Sequence, residues 1–134
     1  RFEKVDNING TRFINDSKST NFHSVSSASE RVKNALLIMH GITKNIPTSE
    51  LQLSNEIKKV IVPEDMNLDQ NLFHCEVEVI KSIFELEEIL KKDFQKFDTV
   101  LFSCGGSSFN DFKNYIERGK FFKSIVKKIE GGHN

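Results

Sequence analysis

The stretch "ALLIMHGITKN", residues 35–45, decides the fold class. Its first five residues, Ala35 to Met39, are apolar without a break, so neither a helical stripe nor the alternation of a half-buried strand describes them. A run this short and continuous fits a parallel strand buried on both faces. It gives way at once to His40-Gly41 and a polar loop carrying Thr43 and Lys44. Two other apolar runs end in the same manner. Phe13-Ile14 passes into "NDSKSTN", residues 15–21, and Val100-Leu101-Phe102 passes into "SCGGSSFN", residues 103–110.

Outward from these runs, strand and helix patterns alternate. Residues 2–8 alternate as a strand, and Asn9-Gly10 predicts a type I′ hairpin turn, whose central positions both take positive φ. Residues 11–14 pair back. Val25, Ala28 and Val32 place a helix over 24–33. A weakly amphipathic stretch predicts a helix over 49–59 with Ser49 as its cap, ahead of a short strand at Val60-Ile61-Val62 stopped by Pro63. Residues 64–73 read as a short helix or a loop, and 74–80 as a strand. Ser82 caps a helix over 82–94 whose stripe is Ile83, Leu86, Ile89, Leu90 and Phe94. From Phe109 the period is helical, with Arg118-Gly119 as an expected break between two helices. Gly131-Gly132 is expected to end the order and leave 131–134 as a disordered tail. Together these predict one α/β domain: a Rossmann-like open, mostly parallel sheet with helices on both faces and an N-terminal β-hairpin contributing an antiparallel strand.

The 134 residues carry 19 basic and 19 acidic side chains, which cancel and remove the electrostatic case for nucleic-acid or anionic-membrane binding. No apolar run is long enough to span a bilayer. The two cysteines, Cys75 and Cys104, form no framework and fit a reduced, cytoplasmic protein. A chain that opens on "RFEKV" is expected to continue a longer one.

If the three strands are parallel neighbours, their loops meet at one rim beyond the carboxyl ends, where open α/β sheets bind ligands. That rim gathers Asp16, Lys18, Thr20, Thr43, Lys44, Ser107 and Ser108, with backbone amides freed by Gly105 and Gly106. Lysines, hydroxyls and helix N-termini suit a carboxylate or a phosphate. Composition alone leaves "NDSKSTN" evenly balanced between helix cap and ligand site, although a lysine is unfavourable at a helix N-terminus. "SCGGSS" is not a P-loop, because no Gly-Lys-Ser/Thr follows its glycines. A Cys104 nucleophile needs a base, and the histidines are scattered, with no metal-ligand spacing.

"NGTRFINDSKSTN", "GITK" and "SSFNDFKNYIERGKFF" resemble the C-terminal domain of the UDP-N-acetylmuramoyl-L-alanine:D-glutamate ligase (MurD) family of Mur ligases. The resemblance covers nearly the whole chain. It implies a domain that carries D-glutamate and closes on a preceding central ATPase domain. The reaction it implies is ATP-dependent amide formation: the alanyl carboxylate of UDP-N-acetylmuramoyl-L-alanine is activated as an acyl phosphate, and the D-glutamate amine attacks it. On that basis Lys18 is catalytic, near the reacting phosphate. Arg1 and Asp16 contact the nucleotide, while Thr20, Lys44, Ser108, Phe109 and Tyr115 hold D-glutamate. ATP and Mg2+ are expected mainly on the central domain, and a cytoplasmic monomer is expected. The chain departs from the family pattern at His40, Thr43, Cys104 and Asn110. A related amide ligase such as a folylpolyglutamate synthase, or a non-catalytic anion-binding α/β module, are the competing readings.

Overall fold

The structure is a computed structural model, and it describes residues 2–132. Six strands form one sheet in the order β1-β2-β6-β3-β4-β5. They are β1 (Glu3–Ile8), β2 (Thr11–Asp16), β3 (Ala35–His40), β4 (Ile57–Pro63), β5 (Glu76–Ile80) and β6 (Thr99–Gly105). Among these six strands the β1–β2 pairing is antiparallel and the other four pairings are parallel. The hairpin turns as expected, with Asn9 at φ 52° and Gly10 at φ 93°. The α/β class and its antiparallel N-terminal strand are therefore present.

Helix α1 (Phe22–Ser29) covers one face of the sheet, and α2 (Leu86–Asp93) and α3 (Tyr115–Gly131) cover the other. The alternation within β3 shows why its sequence is apolar throughout. Leu36 and Ile38 point into the core with Phe13, Leu90, Phe102 and Phe122, while Ala35, Leu37 and Met39 join Val25, Phe22 and Val60 on the opposite face. Phe102 and Phe122 stack at 4.7 Å, 8° from parallel, which fixes α3 over β6.

Several boundaries differ from the sequence reading, each for a visible reason. Strand β2 runs two residues into the polar stretch, because Asn15 and Asp16 pair in register with Phe102 and Ser103 of β6. Helix α1 starts earlier than expected, capped by Asn21, whose side chain accepts from the Ser24 amide. The helix expected over 49–59 is absent apart from a 3-10 turn at Thr48–Glu50. Serines of α1 hold this segment out straight: Ser26 Oγ accepts from the Gln52 amide and Ser29 Oγ from the Ser54 amide, at 2.9 and 3.0 Å. Strand β4 consequently begins at Ile57, three residues before the expected start. Residues 64–73 hold two 3-10 turns, and Ser82 caps a 3-10 turn that leads into α2.

The expected break at Arg118-Gly119 does not occur. Helix α3 runs unbroken through both residues and continues to Gly131, with Gly132 capping it, so the helix reaches into the expected tail. Gly119 is there for space: a Cβ would sit 2.9 Å from Asn15 Nδ2. Its bare backbone lets α3 lie against β2. Residues 133 and 134 lie outside the described residues.

Candidate functional site

Strands β2, β6 and β3 are parallel neighbours, so their carboxyl ends meet at one rim. The three loops there (17–21, 41–47 and 106–114) are tied to one another through backbone. The Gly105 amide donates to Ser19 O at 3.0 Å. Ile42 and Ser107 exchange two backbone hydrogen bonds, at 2.9 and 3.0 Å. Only glycine permits so close an approach. Gly41 has φ +125°, and a Cβ on it would fall 2.4 Å from Ser107 O.

Beneath the rim lies Arg118, fully buried. It enters from the first turns of α3 and reaches all three strand ends. Its Nη2 donates to Ser17 O at 2.7 Å and its Nε to Ser17 Oγ at 2.9 Å. Its Nη1 faces Gly106 O at 2.8 Å, and His40 O and His40 Nδ1 at 3.2 Å. Ser17 Oγ in turn donates to Tyr115 O, which closes a ring from the first loop back to α3. His40, also fully buried, meets Asp111 of the third loop through Nε2 at 2.8 Å. Burial pushes the Arg118 guanidinium below its ordinary value. Burial also lowers the His40 imidazole, against the opposing pull of its Asp111 hydrogen bond. The rim is thus a rigid unit built on a desolvated cation, and the fork geometry of arginine suits several carbonyls at once.

The residues singled out from sequence fall around this unit. Asp16 ends β2, nearly buried, and accepts from Ser103 Oγ at 2.7 Å. Lys18 is exposed on the first loop, between two hollows. One, of about 370 Å³, is shared with Asp16, Phe2, His23 and Arg31. The other, of about 360 Å³, is shared with Tyr115, Ile116, Lys120 and Lys123. Tyr115, expected beside the Ser108 cradle, lines this second hollow with Lys18. Thr20 is exposed immediately before the α1 cap. Lys44 lines a separate depression of about 440 Å³ with Thr43, Thr48 and Asp65. Ser108 is buried at the start of a 3-10 turn and Phe109 beside it is 71% exposed. Arg1 lies outside the described residues. Cys104 is fully buried, and burial pushes its thiol up to about 12, so it is protonated and inert at neutral pH.

Arg118, His40 and Asp111 were not picked out as site residues by the sequence reading. A signal existed for Arg118: it falls in helical phase with Phe122, Ile125 and Ile129, all buried. An arginine on the apolar stripe of a helix needs acceptors beneath it. His40 and Asp111 carried no such signal, since they meet only through the crossing of β6 between β2 and β3.

No family model matches the chain. The chain is similar to curated UDP-N-acetylmuramoylalanine--D-glutamate ligases. It is 36% identical to that of Thermosipho africanus over 98% of this chain and 32% of the relative. It is 34% identical to that of Hydrogenobaculum sp. over 96% and 32%, and 31% identical to that of Thermotoga maritima over 98% and 31%. The chain spans about a third of the length of these relatives. Among solved structures, a crystallised domain from Haemophilus ducreyi, described as a UDP-N-acetylmuramate:L-alanyl-gamma-D-glutamyl-medo-diaminopimelate ligase, superposes with a TM-score of 0.61. It is 12% identical, with both chains covered completely, and shows the shared fold. The six-stranded sheet with its hairpin edge and three-loop rim is therefore a Mur-ligase type of α/β domain. Within that class, the curated relatives that match nearly the whole of this chain are UDP-N-acetylmuramoylalanine--D-glutamate ligases.

Proposed function

We propose that this domain binds D-glutamate at the rim and presents its amine to an activated alanyl carboxylate held by the rest of the enzyme. The observation that carries the reading is the three-loop unit on Arg118, which gives fixed seats to Lys18, Thr20, Lys44 and Ser108. D-Glutamate carries two carboxylates, so two separated carboxylate seats are required. Lys44 and Thr20 supply one. The Ser108 hydroxyl and the Phe109 amide supply the other, and Tyr115 flanks Lys18 across the second hollow. Lys18 lies between the hollows, where an ammonium stabilises charge that develops during transfer.

ATP fits this chain in part. Asp16 and Lys18 share one hollow, suited to a nucleotide hydroxyl and a phosphate oxygen, but no Gly-Lys-Ser/Thr loop is present to cradle phosphates. Bound there, ATP would supply the phosphoryl group that activates the carboxylate. No group of three or more His, Cys, Asp or Glu side chains gathers to hold Mg2+ among the described residues. The work of this chain is to orient the amine and exclude water as it closes on the nucleotide-holding domain. The 134-residue chain alone is therefore inactive as a ligase.

Titration calorimetry of the chain with both glutamate enantiomers tests the reading. Measurable binding of D-glutamate with little affinity for L-glutamate is expected. Equal affinity for the two removes the stereospecific site.

A further inference from the structure

We propose that His40 is a positioning residue. As the neutral Nε2–H tautomer it accepts from the buried Arg118 and donates to Asp111, and so sets the loop carrying Ser108 against the loop carrying Lys44. The assignment follows from donor counting. A guanidinium can only donate, so the His40 Nδ1 that faces Arg118 Nη1 at 3.2 Å must carry a lone pair. The ring proton then sits on Nε2, 2.8 Å from Asp111 Oδ2, and donates to it. Nη1 has two protons and three acceptors. One proton goes to Gly106 O at 2.8 Å, and the other is shared between His40 O and Nδ1.

Asp111 is the far end of the third loop's turn. Its amide and that of Phe112 both donate to Ser108 O, at 3.2 and 2.9 Å. A bond from β3 to the Asp111 carboxylate therefore fixes the Ser108 turn as a unit. The Phe112 ring closes the other side, edge-on to the imidazole at 5.3 Å. Full burial of His40 excludes water as a substitute partner for either nitrogen. A second proton on the imidazole would place two donors face to face and release the Arg118 contact. The charged groups around it are Arg118, Asp111 and Asp65.

The functional part of this inference rests on the D-glutamate reading, whereas the loop geometry does not. The test uses the 134-residue chain with His40→Phe, Asp111→Ala and His40→Gln. Phenylalanine keeps the ring and loses both contacts. Glutamine keeps one acceptor and one donor. His40→Phe and Asp111→Ala should speed amide hydrogen exchange across 107–112 and weaken D-glutamate binding by roughly tenfold, the loss of one partly buried charge-assisted hydrogen bond. His40→Gln should return both to within about threefold of the parent chain. Nitrogen shifts of the imidazole should report the Nε2–H tautomer at neutral pH.

An Nδ1–H tautomer, unchanged exchange in Asp111→Ala, or a glutamine variant as impaired as the phenylalanine one would each overturn the proposal. If the parent chain binds no D-glutamate, the functional reading fails, and the exchange and tautomer measurements still decide the role of His40.

Discussion

Lys59 and Arg118 are both buried cations, one toward each half of the sheet, and the fold satisfies them by different means. Lys59 of β4 is ringed by carboxylates: Asp93 at 2.6 Å, Glu78 at 2.9 Å and Glu76 at 3.5 Å. Arg118 has carbonyls, a hydroxyl and an imidazole, with no carboxylate among its described partners. A cation paired with acids projects little field beyond itself. A cation held by dipoles keeps its charge. The first arrangement ties β4, β5 and α2 together far from the loops. The second ties together the three loops that carry Lys18 and Lys44, the lysines proposed above to meet the ligand.

The largest expected effect comes from removing the dipole-held cation. Arg118→Ala strands several buried carbonyls at once and should cost about 4 kcal/mol in urea unfolding, or prevent folding. Arg118→Lys should recover little, because an ammonium cannot span the same acceptors. Gly41→Ala attacks the same unit through its backbone and should cost about 3 kcal/mol, since both the positive φ and the Ser107 contact are violated. Lys59→Met should cost less, about 2 kcal/mol, because its carboxylates retain access to water. Equal losses from Arg118→Ala and Lys59→Met would break the contrast drawn between the two cations.

Acid titration sharpens the contrast. Burial holds His40 below its ordinary 6.5, so the stability it contributes is complete above that pH and is lost as pH falls toward its folded value. The Lys59 hydrogen bond holds Asp93 below its ordinary 3.8, so that contribution is lost only at more acid pH. As pH falls just below about 6.5 the His40→Gln variant should lose less stability than the parent chain, and Lys59→Met should track the parent. The smallest stability effects belong to the ligand seats. Lys44→Ala should change unfolding by less than about 0.5 kcal/mol, yet weaken D-glutamate roughly tenfold by calorimetry.

Where the sequence spoke plainly, one dominant force was at work. Complete burial of β3 and the Asn9-Gly10 turn leave one reading each, and both appear in the structure. The failures occurred where two forces compete. The 49–59 stretch has a helical pattern, but serines on α1 claim its amides and β4 claims its end. Arg118-Gly119 reads as a break when taken as local propensity. In the fold the arginine is the buried anchor and the glycine is the gap that admits Asn15. Among candidate site residues, Lys18 and Asp16 were visible because strand-terminal loops rich in polar groups are visible. His40 and Asp111 are 71 residues apart. No pattern along the chain brings such a pair together; only the parallel insertion of β6 does.

That insertion has a consequence for the life of the chain before it is folded. Strand β6 lies between β2 and β3, yet it is made after both, and after β4 and β5 as well. Until residues 99–105 emerge, the two halves of the sheet have no hydrogen-bonded connection, and each presents a bare apolar edge. Arg118 arrives later still. A nascent or truncated chain ending before β6 thus displays two unpaired strands, the feature that recruits chaperones and seeds aggregation. The closing of this sheet is in effect a checkpoint late in the making of this domain, and the rim is complete only once it has been passed.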